Sequence, residues 1–166
     1  MAQLFLDGKT VNTVGELPEN GETAPDFHMT KSDLSDATLK DFRGKRVLMN
    51  IFPSIDTGTC AKSVRKFNEK ASKLKNTSVL CISRDLPFAQ QRFFRTENID
   101  NVDALSDFGN GDFGRKYGLT MADGPWKNLH SRAVIVLDEE GKILYTEQVQ
   151  EINDEPDYDK ALGVLS

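Results

Sequence analysis

The chain has 166 residues, of which 38% are hydrophobic, with two cysteines and a formal net charge of −5. That length supports a buried core without staples, two cysteines exclude a disulfide framework, and the acidic balance excludes nucleic-acid binding through cations clustered on phosphates. No apolar run approaches the roughly 20 residues that span a bilayer, and Met1 to Gly8 lacks a basic segment followed by an apolar one. A cytoplasmic, reducing setting with no secretory leader and no membrane association is therefore expected.

In chain order, Gln3 to Thr13 reads as a hairpin turning at Asp7-Gly8, a pair suited to a type I′ turn with positive φ at both central residues. Gly15 to Thr23 carries glycine and Pro18 without periodicity and reads as loop, followed by a short extended segment, Ala24 to Met29. Leu34 to Leu39 leads into a short turn broken at Gly44. Arg46 to Phe52 is a nearly continuous apolar run ended by Pro53, as expected of a central strand covered on both faces.

From Thr57 to Lys75 the apolar residues Cys60, Val64, Phe67, Ala71 and Leu74 recur at helical spacing and predict an inward stripe. The cations Lys62, Arg65, Lys66, Lys70 and Lys73, interrupted by Glu69, form the solvated face of that same helix. Ser78 to Ser83 reads as a second buried strand, and Pro87 opens a helix running through Phe94. Asn101 to Leu105 predicts a short strand, and Phe113 to Tyr117 a short helix stopped by Gly118. Ser131 to Leu137 and Lys142 to Val149 form a second hairpin around Asp138-Glu139-Glu140-Gly141, and Pro156 to Leu165 a terminal helix. This order is that of a thioredoxin-like α/β sandwich with an added N-terminal hairpin. No repeat or composition shift divides it, so one domain over residues 1–166 is expected.

The stretch Asn50 to Cys60 carries the chemistry. It runs from a buried strand through a turn fixed by Pro53 into a helix start, with Cys60 three residues after Thr57. A helix N-terminus favours thiolate over thiol through its partial positive charge and unsatisfied N–H donors. Two readings of Cys60 stand side by side: a small core residue on the stripe with Val64 and Phe67, or a reactive thiol in a pocket at the helix base. If Thr57 or Asp56 is the N-cap, Cys60 falls in the first turn. There the Thr57 hydroxyl acts as a cap or as a donor to a thiolate or a bound oxygen.

Pro53-x-x-x-Thr57-x-x-Cys60 resembles the peroxidatic-cysteine motif of the peroxiredoxins, and Asn50 to Cys60 as a whole resembles their bacterial thiol peroxidase branch. Ala24-Pro25-Asp26-Phe27, Ser63 to Asn68, Asp85 to Gln90, Ala122 to Pro125 and Glu155 to Tyr158 extend the likeness over nearly the whole chain. The resemblance implies a peroxiredoxin-type fold and a thiol peroxidase. Its Cys60 thiolate would attack hydrogen peroxide or an organic hydroperoxide and become a sulfenic acid. It also implies that Arg132, in Ser131-Arg132-Ala133, completes the site with Thr57, Pro53 and the N–H groups of the first turn, without cofactor or metal. A guanidinium suits that role because its charge is permanent and its planar fork can hold both sulfur and oxygen. A homodimer and a reductant such as thioredoxin or another thiol are implied as well.

The chain departs from that branch at one place, because alignment through Leu86-Pro87-Phe88-Ala89-Gln90 sets Phe94 where a resolving cysteine usually stands. Three routes stay open: direct reduction of the sulfenic acid by an external thiol, resolution by Cys81, or a protein that reacts once. Cys81 lies in an apolar strand run, where packing is expected, and a bridge to Cys60 requires Cα atoms within about 7 Å. A Cys-x-x-Cys oxidoreductase is excluded, since Thr57 stands where the second thiol would be. His28 and His130 are solitary and predict no metal site. Trp126 is read either as part of an apolar collar or dimer contact near the site, or as core packing. The rival function is a redox sensor or binding protein in which Cys60 oxidation alters a partner contact without turnover.

Overall fold

The computed structural model describes residues 1–166 and is built on a seven-stranded sheet beside a two-stranded one. The smaller sheet is the expected hairpin, β1 (Gln3–Leu6) and β2 (Lys9–Asn12), with Asp7 at φ 52° and Gly8 at φ 78° in the turn. The larger sheet contains β3 (His28–Lys31), β4 (Asp36–Thr38), β5 (Arg46–Ile51), β6 (Thr77–Ser83), β7 (Asp103–Ser106), β8 (Ala133–Leu137) and β9 (Ile143–Gln148). Its spatial order is β4-β3-β7-β6-β5-β8-β9. Strands β5, β6 and β7 pair in parallel, while β8 and β9 add antiparallel on one side and β3 and β4 on the other. The helices are α1 (Gly58–Ala71), α2 (Pro87–Thr96), α3 (Asp112–Lys116) and α4 (Tyr158–Gly163).

Strand β5 is central and covered on both faces, as its unbroken apolar run requires. Val47, Met49 and Ile51 point into one core with Phe27, Phe113 and Tyr117, whereas Leu48 and Phe52 point into the other, beneath Cys60, Val64 and Phe67 of α1. The side-chain period of two thus places Asn50, a polar residue, on the α1 face. There its amide donates to Ser63 Oγ at 3.1 Å, and Ser63 in turn donates to the Cys60 carbonyl at 2.8 Å.

Four elements differ from the sequence reading, and the first is the extended segment expected over Ala24 to Met29, which pairs as a strand only over His28–Lys31. Helix α1 ends at Ala71 rather than Lys75, because after Ser72 the chain continues through i→i+3 bonds, Lys73 N–H to Lys70 and Leu74 N–H to Ala71. Leu74 still packs against the α1-side core, which is why the stripe ran past the helix. The terminal helix starts after Asp157, whose carboxylate accepts the Lys160 N–H at 3.0 Å, leaving Pro156 outside it. Strand β4 is a short, polar edge segment with no periodicity to betray it.

Gly118 stops α3 at φ 67°, and a Cβ there would lie 2.3 Å from the Glu16 carbonyl oxygen and 2.4 Å from the Glu16 nitrogen. Backbone cannot yield as a side chain does. Gly118→Ala is expected to destabilise the protein by about 2–5 kcal/mol, from left-handed strain plus overpacking. Urea unfolding measures it, and a loss below about 1 kcal/mol would show that the Gly15–Leu17 loop moves aside.

Candidate active site

Cys60 is delivered as the sequence suggests. Strand β5 ends at Ile51, the buried Pro53 ends the extended run, and Thr57 takes the N-cap with φ −92° and ψ 147°. Its hydroxyl accepts the Cys60 N–H at 3.3 Å, so Cys60 is the third residue of α1 and the N–H groups of Gly58 and Thr59 lie at the helix's open end. The Thr57 hydroxyl points its own hydrogen at the Ser54 carbonyl, 3.4 Å away, a long and weak bond that another acceptor could replace. Thr57 is the cap and Asp56 is exposed outside it.

Cys60 has an accessibility of 0%, and so has Arg132. Arg132 lies one residue before β8, and its Nη2 donates to Cys60 Sγ at 3.3 Å. Its Nε donates to the Ile152 carbonyl at 2.7 Å, whereas Nη1 has no partner. None of the protein's ion pairs includes Arg132. A buried guanidinium without a carboxylate is costly, and the Cys60 sulfur is the only side-chain atom that takes a bond from it. The two unpartnered Nη1 hydrogens are donors held in a fixed plane beside the sulfur.

Several neighbours were not legible from sequence. Asp85 fastens the turn before α1: its carboxylate accepts the Ile55 N–H at 2.7 Å, the Ser54 hydroxyl at 2.8 Å and, from the end of β6, the Ser83 hydroxyl at 2.6 Å. Ser54 is the residue on which Thr57 leans, so the carboxylate braces the cap from a different strand. Residues 151–157 cross the base of α1, where the Asn153 carbonyl accepts the Thr59 hydroxyl at 2.9 Å and Glu155 pairs with Lys62 at 3.3 Å. Tyr158 donates to Glu155 at 2.8 Å and packs edge-on against Phe67. Burial, and then the Glu155 partner, push the Tyr158 phenol up, with the Arg132 charge acting in the opposite sense. The sequence signal for Asp85 was its place just before Leu86-Pro87. The roles of the Ile152 and Asn153 carbonyls have no side-chain signature.

Cys81 is buried on β6 opposite Asn50, whose amide lies 3.9 Å from its sulfur. Burial pushes its thiol up to about 12, so it stays protonated and a poor nucleophile near neutral pH. Phe94 is half-buried on α2 and packs against the same core as Cys60. His130 is fully buried with Nε2 2.9 Å from Asp107 Oδ2, while the exposed His28 faces Asp36 at 3.3 Å. Trp126 packs on the hairpin core formed by Leu4, Leu6, Val11, Met121 and Ile152, so it is a packing residue of that hairpin. No group of three or more His, Cys, Asp or Glu residues is arranged to hold a metal, and no helix is long and apolar enough to cross a membrane.

A thioredoxin-like sandwich in which one thiol, at the first turn of the helix after the central strand, faces a buried arginine has the architecture of the peroxiredoxin type. The redoxin family profile matches residues 19–162, and a thiol peroxidase of Corynebacterium glutamicum is 49% identical over all 166 residues, covering the whole of both chains. The chain belongs to the redoxin family. Among solved structures, a peroxiredoxin-like protein from Aquifex aeolicus superposes with a TM-score of 0.93 at 34% identity, covering 99% of this chain and 96% of its own. A thiol peroxidase from Chromobacterium violaceum shares the fold with a TM-score of 0.87 at 21% identity, covering 98% and 94%.

Proposed function

We propose that the chain is a thiol-dependent peroxidase in which Cys60 is the attacking thiolate and Thr57, Arg132 and Pro53 complete the site. The observation that carries this reading is the 3.3 Å approach of Arg132 Nη2 to Cys60 Sγ in a fully buried setting. The relationship to a thiol peroxidase at 49% identity supports the same chemistry. In the reaction, the Cys60 thiolate donates an electron pair to the terminal oxygen of a hydroperoxide and the O–O bond breaks. That oxygen stays on sulfur with its hydrogen as a sulfenic acid. The other oxygen leaves as hydroxide or alkoxide and takes a proton to become water or an alcohol. The unpartnered Arg132 Nη1, the Thr57 hydroxyl and the Gly58 and Thr59 N–H groups stabilise charge as it develops on the two oxygens. Pro53 fixes the turn that aims the helix.

Recycling uses an external thiol, thioredoxin or another, because Phe94 cannot form a disulfide and Cys81 is held as a buried thiol. The 166 residues act as one cytoplasmic domain that pairs as a homodimer. The exposed Leu86 (52%), Phe88 (63%) and Phe108 (40%) lie around the Asp85 to Ser106 contact and offer an apolar face for the second copy. Intact mass after one equivalent of hydrogen peroxide is expected to show a gain of one oxygen, and a following excess of reduced thioredoxin or glutathione is expected to sustain turnover. Loss of two hydrogens instead would assign resolution to Cys81. A single oxidation without turnover under any thiol would favour a redox sensor.

A further inference from the structure

Residues 150–153 lie between two parts of the protein that are remote in sequence. On one side they pair with the N-terminal hairpin: Phe5 N–H donates to the Gln150 carbonyl at 2.8 Å, and Ile152 N–H donates to the Phe5 carbonyl at 2.9 Å. The two carboxylate oxygens of Glu151 accept the Asp7 and Gly8 N–H groups at 3.0 and 3.1 Å. Asn153 Nδ2 donates to the Asp7 carboxylate at 2.6 Å, and the Ile152 side chain joins the hairpin's core. On the other side the same residues face the thiol, through the Ile152 carbonyl on Arg132 Nε and the Asn153 carbonyl on the hydroxyl of Thr59, the neighbour of Cys60.

We propose that the N-terminal hairpin is a working part of the thiol site and that Glu151 is its positioning residue. By gripping both N–H groups of the Asp7-Gly8 turn, Glu151 fixes the Ile152 carbonyl that aims the Arg132 guanidinium at Cys60. This rests on the peroxidase reading of Cys60 and Arg132. The guanidinium is held by two bonds only, one to this carbonyl and one to the sulfur. Its orientation therefore follows the carbonyl. A turn with positive φ at both central residues aims its N–H groups outward together, and a carboxylate that accepts both ties the turn to residues 150–153 by charge-assisted bonds. Removing it takes away the only charged acceptor on the turn's two N–H groups and leaves the Ile152 carbonyl to the neutral backbone pairing, the Asn153 to Asp7 bond and the packing of the Ile152 side chain. A displacement of a fraction of an ångström at Nη2 is enough to matter, because reaction rates depend steeply on such placements.

The test is the rate of Cys60 oxidation by hydrogen peroxide in a single turnover, followed by mass, for wild type, Glu151→Ala, Arg132→Lys and the double variant. Glu151→Ala is expected to slow oxidation about tenfold and Arg132→Lys about 100-fold, with the double variant no slower than Arg132→Lys alone, because the two act through one guanidinium. Emission from Trp126, the only tryptophan and a neighbour of the hairpin core, is expected to shift in Glu151→Ala. A wild-type rate in Glu151→Ala, or a loss in the double variant equal to the product of the two single losses, overturns the proposal. Should Glu151→Ala not fold, Glu151→Gln keeps an acceptor for the turn and carries the same cycle with a smaller loss, about threefold. A wild-type protein whose Cys60 is not oxidised at all refutes the peroxidase reading itself, a result distinct from either.

Discussion

Cys60→Ser is expected to lower peroxide consumption by at least about 10³-fold with no change of fold. Serine fits the space of the thiol, can take the same bond from Arg132 Nη2, and keeps the N–H that Thr57 caps. A hydroxyl does not ionise near neutral pH, however, and its oxygen cannot be oxidised by a hydroperoxide as sulfur can. Stability is expected to move by less than about 1.5 kcal/mol, the cost of a slightly smaller and more polar atom in a packed site. Peroxide loss in a thiol-coupled assay, with urea unfolding alongside, measures both. Turnover within tenfold of wild type would eliminate Cys60 as the attacking group and, with it, the whole proposed cycle.

Arg132→Met is expected to separate activity from stability. The substitution keeps a long side chain in the space but removes the buried charge, its unpartnered Nη1 and its bond to sulfur. Peroxidase activity is expected to fall by about 10²–10³-fold, the scale of losing a preorganised charged donor at a developing oxyanion. Folding stability is expected to stay level or rise by about 1–4 kcal/mol, because a buried guanidinium with no carboxylate partner is replaced by apolar packing. The Ile152 carbonyl, left without its donor, is the opposing effect and sets the lower end of that range. An arginine that serves the fold would give the reverse pattern: a large drop in unfolding free energy with the rate little changed.

Much of the fold could be read in the sequence because its signals are local. The Asp-Gly turn, the apolar run of β5, the proline at the head of α2 and the glycine after α3 each act within a few residues, and each element lies where its signal stands. Cys60 at the start of α1 was legible for the same reason, since a strand, a proline and a cap lie in one continuous stretch. Arg132 was legible only through resemblance, because no local pattern says that a residue 72 positions away points at the thiol. The braces carry little or no local signal of what they hold. Asp85 works through a turn on another strand, and Ile152 through a main-chain oxygen that every residue possesses. His130 is the converse case: solitary in sequence, yet satisfied in the core by Asp107 once the chain closes.

The Asp85 clamp also bears on where the chain can tolerate change in length. Its carboxylate joins the end of β6 to the turn before α1, and the residues from Ser83 to Pro87 are therefore cut to measure. One inserted residue there would withdraw the carboxylate from Ser54 and Ile55, loosening the thiol's turn although no residue beside the sulfur had altered. The Asp138 to Gly141 turn lies beyond Leu137, at the opposite end of β8 from Arg132, and no bond runs from it to the thiol. A label or graft at that far turn is expected to cost the bonds its Glu139 and Gly141 carbonyls accept from Gly44 and Ala24 while leaving the thiol's turn in place, whereas the short link between β6 and α2 should be left at its natural length.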